Sequence, residues 1–210
     1  MQYTKVLSLK SYRRIIASVY ANLFLIISVL FFVAGLCCAV FSFKGHILAA
    51  EWAEEYITDF IAFRNNNGYF KIFLDSFFSS MLFMVLCFIC GTSMMGVLLA
   101  PACLGIKGFL TGTVAAYLYS AYALKGIAFH TVIILPSAVL LVIALIMASV
   151  EASRFSVVLL KLTLPRTIPA NLLVDFKRLT ARFLFFILLV VFSALIDALI
   201  TYNFLSKLGL

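Results

Sequence analysis

Charge is what this sequence has least of. Only 11% of its 210 residues are charged, and only eight are acidic. An ordinary soluble domain carries about 25% charged residues. With 65% hydrophobic residues and a mean hydropathy of +1.18, the chain has more apolar surface than a core of this size can hide. Lipid must therefore solvate much of it. Histidine is nearly absent, with His46 and His130 alone. No HExxH, GxSxG or P-loop pattern occurs, which argues against zinc-protease, serine-hydrolase and nucleotide chemistry. The five cysteines, at 37, 38, 87, 90 and 103, all lie in apolar runs, so no secretory disulfide framework is indicated. Cys87 and Cys90 form a CxxC, but without polar surroundings they read as packing residues. Glu54-Glu55 resembles the glutamate pair of the CAAX-type intramembrane proteases, but Asp59 stands where an arginine is expected. We expect no catalytic residue, no metal site and no cofactor.

What is present are long, unbroken apolar runs. Barrel strands alternate in shorter segments, so the runs predict helices. The expected fold is all-α: a polytopic membrane protein, a five-transmembrane-helix bundle with interfacial amphipathic helices, in one membrane domain over residues 1–210. The predicted crossings are 15–43, 77–99, 102–123, 127–150 and 183–205. The first is too long for the apolar core of a signal peptide, about 7–15 residues, and reads as an uncleaved helix; the alternative is cleavage after Ala49 or Ala50. An outer loop, 44–76, and a cytoplasmic segment, 151–182, separate crossings.

The 16 basic residues follow these boundaries. Segments read as inside carry four, one and six Lys/Arg, and those read as outside carry three, one and one. The bias predicts a multi-pass protein of the bacterial cytoplasmic membrane, N-terminus inside and C-terminus outside. The net charge of +8 is thus a membrane-flank feature, and no nucleic-acid partner is expected. Lys107 alone anchors the connection between the second and third crossings, so that pair is either two full crossings or a re-entrant hairpin buried in protein. No internal repeat suggests inverted halves.

Four features stand out. Gly91, Gly96, Gly105, Gly108 and Gly112 form a small-residue surface with a GxxxG at its end. Such a surface predicts close helix packing, within the chain or in a homodimer. Pro136 predicts a kink in the fourth crossing. Asp197, in the last crossing, is either a functional intramembrane acid or one close enough to the outer interface to be wet. Finally, Leu48, Trp52, Tyr56, Phe60 and Phe63 recur at helical spacing in the outer loop. They predict a helix lying on the membrane interface, its acidic face (Glu51, Glu54, Glu55, Asp59, with Trp52 beside them) being a solvated surface or a partner-docking site.

The run Gly96-Val-Leu-Leu-Ala-Pro-Ala-Cys-Leu-Gly-Ile-Lys-Gly-Phe-Leu-Thr-Gly112 precedes Leu135-Pro136, Glu151-Ala-Ser-Arg-Phe-Ser156 and Ile196-Asp-Ala-Leu-Ile-Thr201. In this order the segments resemble the stage II sporulation protein M family, over about residues 70–205. Lys107, Ser137 and Asp197 depart from that family's pattern, where asparagine, histidine or asparagine, and glutamate are expected. The resemblance implies a non-enzymatic membrane scaffold. It implies recruitment of peptidoglycan-degrading partners, similar to stage II sporulation proteins D and P, for septal wall remodelling and forespore engulfment. The rival expectation is a small transporter or channel with Asp197 in a polar cavity.

Overall fold

The computed structural model describes residues 22–42, 49–162 and 172–208, with side chains at 49–52 and 204–208 left out. Among the described residues every regular element is helical and there is no strand. The order is α1 (Asn22–Ser42), α2 (Ala49–Asn66), α3 (Tyr69–Gly91), α4 (Gly96–Phe129), a π-helical segment (His130–Ile134), α5 (Leu135–Leu162) and α6 (Leu172–Leu208). Four apolar stretches are long enough to cross a membrane, in α1, α3, 96–162 and α6. This is a multi-pass membrane protein.

The longest stretch, 67 residues, is broken at Ala123, with φ 45° and ψ −123°. Those angles match the first central residue of a type II′ turn, a conformation that favours glycine. Beyond the break, Gly126 folds against the Leu118 carbonyl so closely that a Cβ would collide with it. The chain thereby reverses between Ala123 and Gly126.

At the opposite end, the connection between α3 and α4 is tighter than expected. It spans only Thr92 to Met95, ahead of Pro101, which lies buried inside α4. The turn is closed by side chains. Thr92 and Ser93 donate their hydroxyls to the carbonyls of Ile89 and Cys90, at 2.8 and 3.0 Å. Ser156 of α5 accepts the Val97 amide at 3.1 Å, and its hydroxyl faces the Ser93 and Met94 carbonyls at 2.7 and 3.0 Å. One tertiary hydroxyl thus supplies the N-terminal cap that Met95 cannot.

Moving that turn to residues 92–95 corrects the predicted boundaries. The second crossing is α3, starting at Tyr69 rather than 77, and Lys107 is no flank residue. It lies 11 residues into α4, about 16 Å along the axis. Pro101, expected just ahead of the third crossing at 102, is instead the sixth residue of α4, past its first turn, where it leaves the Val97 carbonyl without its usual amide partner. A second correction concerns the segment read as cytoplasmic, 151–182. Residues 172–182, expected ahead of a crossing that starts at 183, already belong to the 37-residue α6. That helix is about 55 Å long, well beyond the roughly 30 Å hydrocarbon core. Glu151 joins α5 to α6 here, pairing with Arg154 at 2.5 Å and with Arg182.

Phe83, Met84, Cys87, Leu104, Leu145, Ala148, Phe186 and Val190 form the main core, where α3, α4, α5 and α6 meet. A smaller cluster (Ile57, Leu118, Phe129 and Ile133) lies under α2. Helix α1 docks on α4 through small residues. Gly35 abuts the Gly105 carbonyl, Gly108 abuts the Phe32 carbonyl, and a Cβ on Gly112 would lie 2.8 Å from that of Ala39. Backbones this close gain dispersion contacts that lipid cannot match. The other two glycines have different neighbours: Gly91 meets Ala152 of α5, and Gly96 meets the Cys90 carbonyl across its own turn.

Pro136 lies two residues beyond the π-helical segment, after Leu135. The Leu135 amide bonds back to the His130 carbonyl, a wider turn that absorbs the register change next to a residue without an N–H. His130 itself is buried, its Nδ1 2.9 Å from the Tyr119 hydroxyl.

Candidate functional site

The site is built where α2 meets the bundle. The sequence predicts that α2 turns Tyr56, Phe60 and Phe63 toward the apolar side. In the structure Tyr56 and Phe63 are exposed. The inward stripe is instead Ala53, Ile57 and Arg64, with Phe60 and Ile61 partly buried beside it. The stripe is rotated because α2 packs on protein, with Ile57 in one cluster with Leu118, Phe129 and Ile133 and with Phe60 and Ile61 packed against it. Leu48 and the side chains of Glu51 and Trp52 lie outside the described residues. Glu54, Glu55 and Asp59 are exposed on the opposite face.

Rotation of the stripe carries Arg64 into the bundle. Its Nη2 lies 2.6 Å from Oδ2 of Asp197 on α6, with the two side chains 4% and 9% exposed. The same oxygen accepts the Ser76 hydroxyl of α3, and Oδ1 lies 3.2 Å from the Ser137 hydroxyl of α5. Arg64 also donates through Nη1 to the Thr201 hydroxyl at 2.6 Å and through Nη2 to Ser76 at 3.1 Å. Its guanidinium carbon sits 3.8 Å above the Phe60 ring centroid, a cation–π contact. Ser193 of α6 donates to the Ser137 carbonyl at 2.7 Å and steadies that side of the network.

Four helices thus converge on one ion pair. A buried ion pair repays its desolvation only if further hydrogen bonds satisfy the remaining lone pairs and protons. Here Ser76, Ser137 and Thr201 supply most of them, while Nε of Arg64 has no partner among the described residues. Beside the pair, partial burial raises the Tyr56 phenol above its ordinary range, with Arg64 opposing the shift, so its hydroxyl remains neutral.

The pair lines a cavity of about 250 Å³ between α2, α3, α4, α5 and α6. Ser76, Ser80 and Phe83 recur on one face of α3, Lys107, Thr111 and Val114 on one face of α4, and Ser137 and Leu141 on α5. Small hydroxylated residues opposite one another leave the space that larger side chains would fill. Exposed Asp75 and Ser79 mark its mouth, shared with a shallow groove along Glu55 and Asp59.

Of the residues singled out from the sequence, Asp197 stands at this centre, while Gly91, Gly96, Gly105, Gly108, Gly112 and Pro136 are packing and backbone positions away from it. Arg64 is the residue that sequence reasoning missed. It counted only as an outer-loop charge, yet it lies seven residues after Ile57 on the buried stripe. Among the described residues, no group of three or more His, Cys, Asp or Glu is arranged to hold a metal ion. Cys90 and Cys103 approach to 3.8 Å between sulfurs, away from the cavity wall.

No curated protein and no solved structure matches the chain. The model of one family, stage II sporulation protein M, matches residues 28–202, a span that takes in α3 through α5, Asp197 and Thr201. The chain belongs to the stage II sporulation protein M family.

Proposed function

We propose that this protein is a non-enzymatic scaffold of five membrane crossings that holds α2 as a docking element for extracytoplasmic partners. The observation that carries the reading is the Arg64–Asp197 pair, which ties α2 to α3, α5 and α6 through one buried network. A helix held this way keeps a fixed orientation, and its outward face carries Glu54, Glu55 and Asp59. Family membership supports partners similar to the peptidoglycan-degrading stage II sporulation proteins D and P, acting in septal wall remodelling and engulfment. The charge bias supports an inside N-terminus and an outside C-terminus, which puts α2 on the side where wall enzymes work. In this orientation the break at Ala123 divides the long apolar stretch into an outward and an inward crossing.

The test is co-purification of D-like and P-like partners with a Glu54→Lys, Glu55→Lys, Asp59→Lys variant. The scaffold reading expects partner loss with unchanged membrane insertion. Full partner recovery contradicts it.

A second reading, a small transporter, draws on the cavity beside Asp197. Solute flux in proteoliposomes that Asp197→Asn abolishes supports that reading, and flux indifferent to the substitution removes it.

A further inference from the structure

Lys107 is a cation on the cavity wall that has no ion-pair partner among the described residues. It lies 11 residues into α4, partly buried, on the cavity wall. Its ammonium sits 4.8 Å from the centroid of the Phe83 ring, and no described carboxylate lies within ion-pair distance of it. The wall holds two acids. Asp197 is engaged by Arg64, and Asp75 is exposed at the mouth, eight residues before Phe83, about 12 Å along α3. An unpaired ammonium at this depth is costly, and ionisable groups in membrane helices face cavities where a partner can reach them.

The rest of the wall has the same bias toward donors. Arg64 is 6% exposed, and its Nε–H has no acceptor among the described residues. The hydroxyl of buried Ser80 lies on the same wall. Between these donors the surface is apolar, with Phe83, Leu110, Val114 and Leu141. An ammonium without an ion-pair partner and a guanidinium N–H without an acceptor, within a largely apolar pocket, describe a site for a negatively charged acceptor carrying a hydrocarbon portion.

We propose that the cavity binds a small amphiphilic oxyanion, a phosphate or carboxylate on an apolar chain, with its charged oxygens on Lys107. The acidic mouth at Asp75, Glu55 and Asp59 disfavours dense negative charge at the entrance, so the ligand carries a single anionic group rather than a polyanion. This site is separate from the outer face of α2 and does not depend on the scaffold reading.

The test uses the full chain in a neutral maltoside detergent, titrated with octyl phosphate, octanol or inorganic phosphate at matched ionic strength. Binding is read as thermal stabilisation and as adducts in native mass spectrometry. The proposal expects saturable stabilisation by octyl phosphate and none by octanol. Lys107→Met should weaken octyl phosphate binding at least tenfold, and Lys107→Arg should retain it. Methionine keeps the volume and removes a buried charge, so the unliganded variant should melt no lower than the parent. Inorganic phosphate acting as well as octyl phosphate would overturn the apolar part and leave a free-ion site. Octyl phosphate binding that Lys107→Met leaves unchanged, or no binding at all, overturns the proposal.

Discussion

The Arg64 guanidinium and the Asp197 carboxylate, 133 residues apart in sequence, meet at 2.6 Å where water hardly reaches. Exposed ion pairs contribute about 0–1 kcal/mol. This one differs because each partner also binds hydroxyls from other helices, so losing either partner strands the other in an apolar bundle. Asp197→Ala should therefore destabilise the protein by about 3–5 kcal/mol, measured by thermal or denaturant unfolding in detergent. Arg64→Met combined with Asp197→Leu should recover much of that loss, because neither charge is then left unpaired.

The Thr92–Met95 turn gives a second prediction. Ser156→Ala removes the partner of the Val97 amide and the donor to the Ser93 and Met94 carbonyls. The cost should be about 1–3 kcal/mol, from buried backbone groups left unsatisfied. Hydrogen exchange should rise first at residues 93–99, and Ser156→Thr should restore part of the protection.

The glycine seam gives a third. A leucine at Gly108 or Gly112 would push against the Phe32 carbonyl or against Leu36 and Ala39 and lift α1 off α4. Each variant should lose stability by more than about 2 kcal/mol in melting experiments, whereas Gly68→Ala should change little, since nothing lies within 4 Å of a Cβ there. Normal melting of Gly108→Leu would show that α1 does not pack on this face.

At the Ala123 turn the sign is reversed. Ala123 holds a positive φ at which glycine is unstrained. Ala123→Gly should raise stability by about 1 kcal/mol, seen as a higher melting temperature with unchanged partner binding. A lower melting temperature would mean that the turn is not strained.

Much of this architecture was legible in the sequence. Apolar run length predicts helices, and the described elements are helical; of the five glycines read as one surface, Gly105, Gly108 and Gly112 face α1, while Gly91 and Gly96 meet other neighbours. Two things were not legible, each for a physical reason. The Thr92–Met95 turn is held by Ser156, which is remote in sequence, so the apolar run was divided between 99 and 102 instead. Arg64 looked like a loop charge because side-chain hydrophobicity does not reveal that a cation is directed inward. The available clue was register: Ala53, Ile57 and Arg64 share one face of α2, and an acid in α6 needed a partner. The aromatic stripe of Tyr56 and Phe63 concealed this, being larger and more apolar than the face that is buried.

The central claim is that the Arg64–Asp197 network fixes α2 on the bundle and so presents its acidic face. Hydrogen exchange of the α2 amides in reconstituted membranes, parent against Asp197→Asn, tests it most directly. The account predicts that residues 53–66 lose protection while the cores of α3, α5 and α6 keep theirs. Unchanged protection across α2 would contradict it.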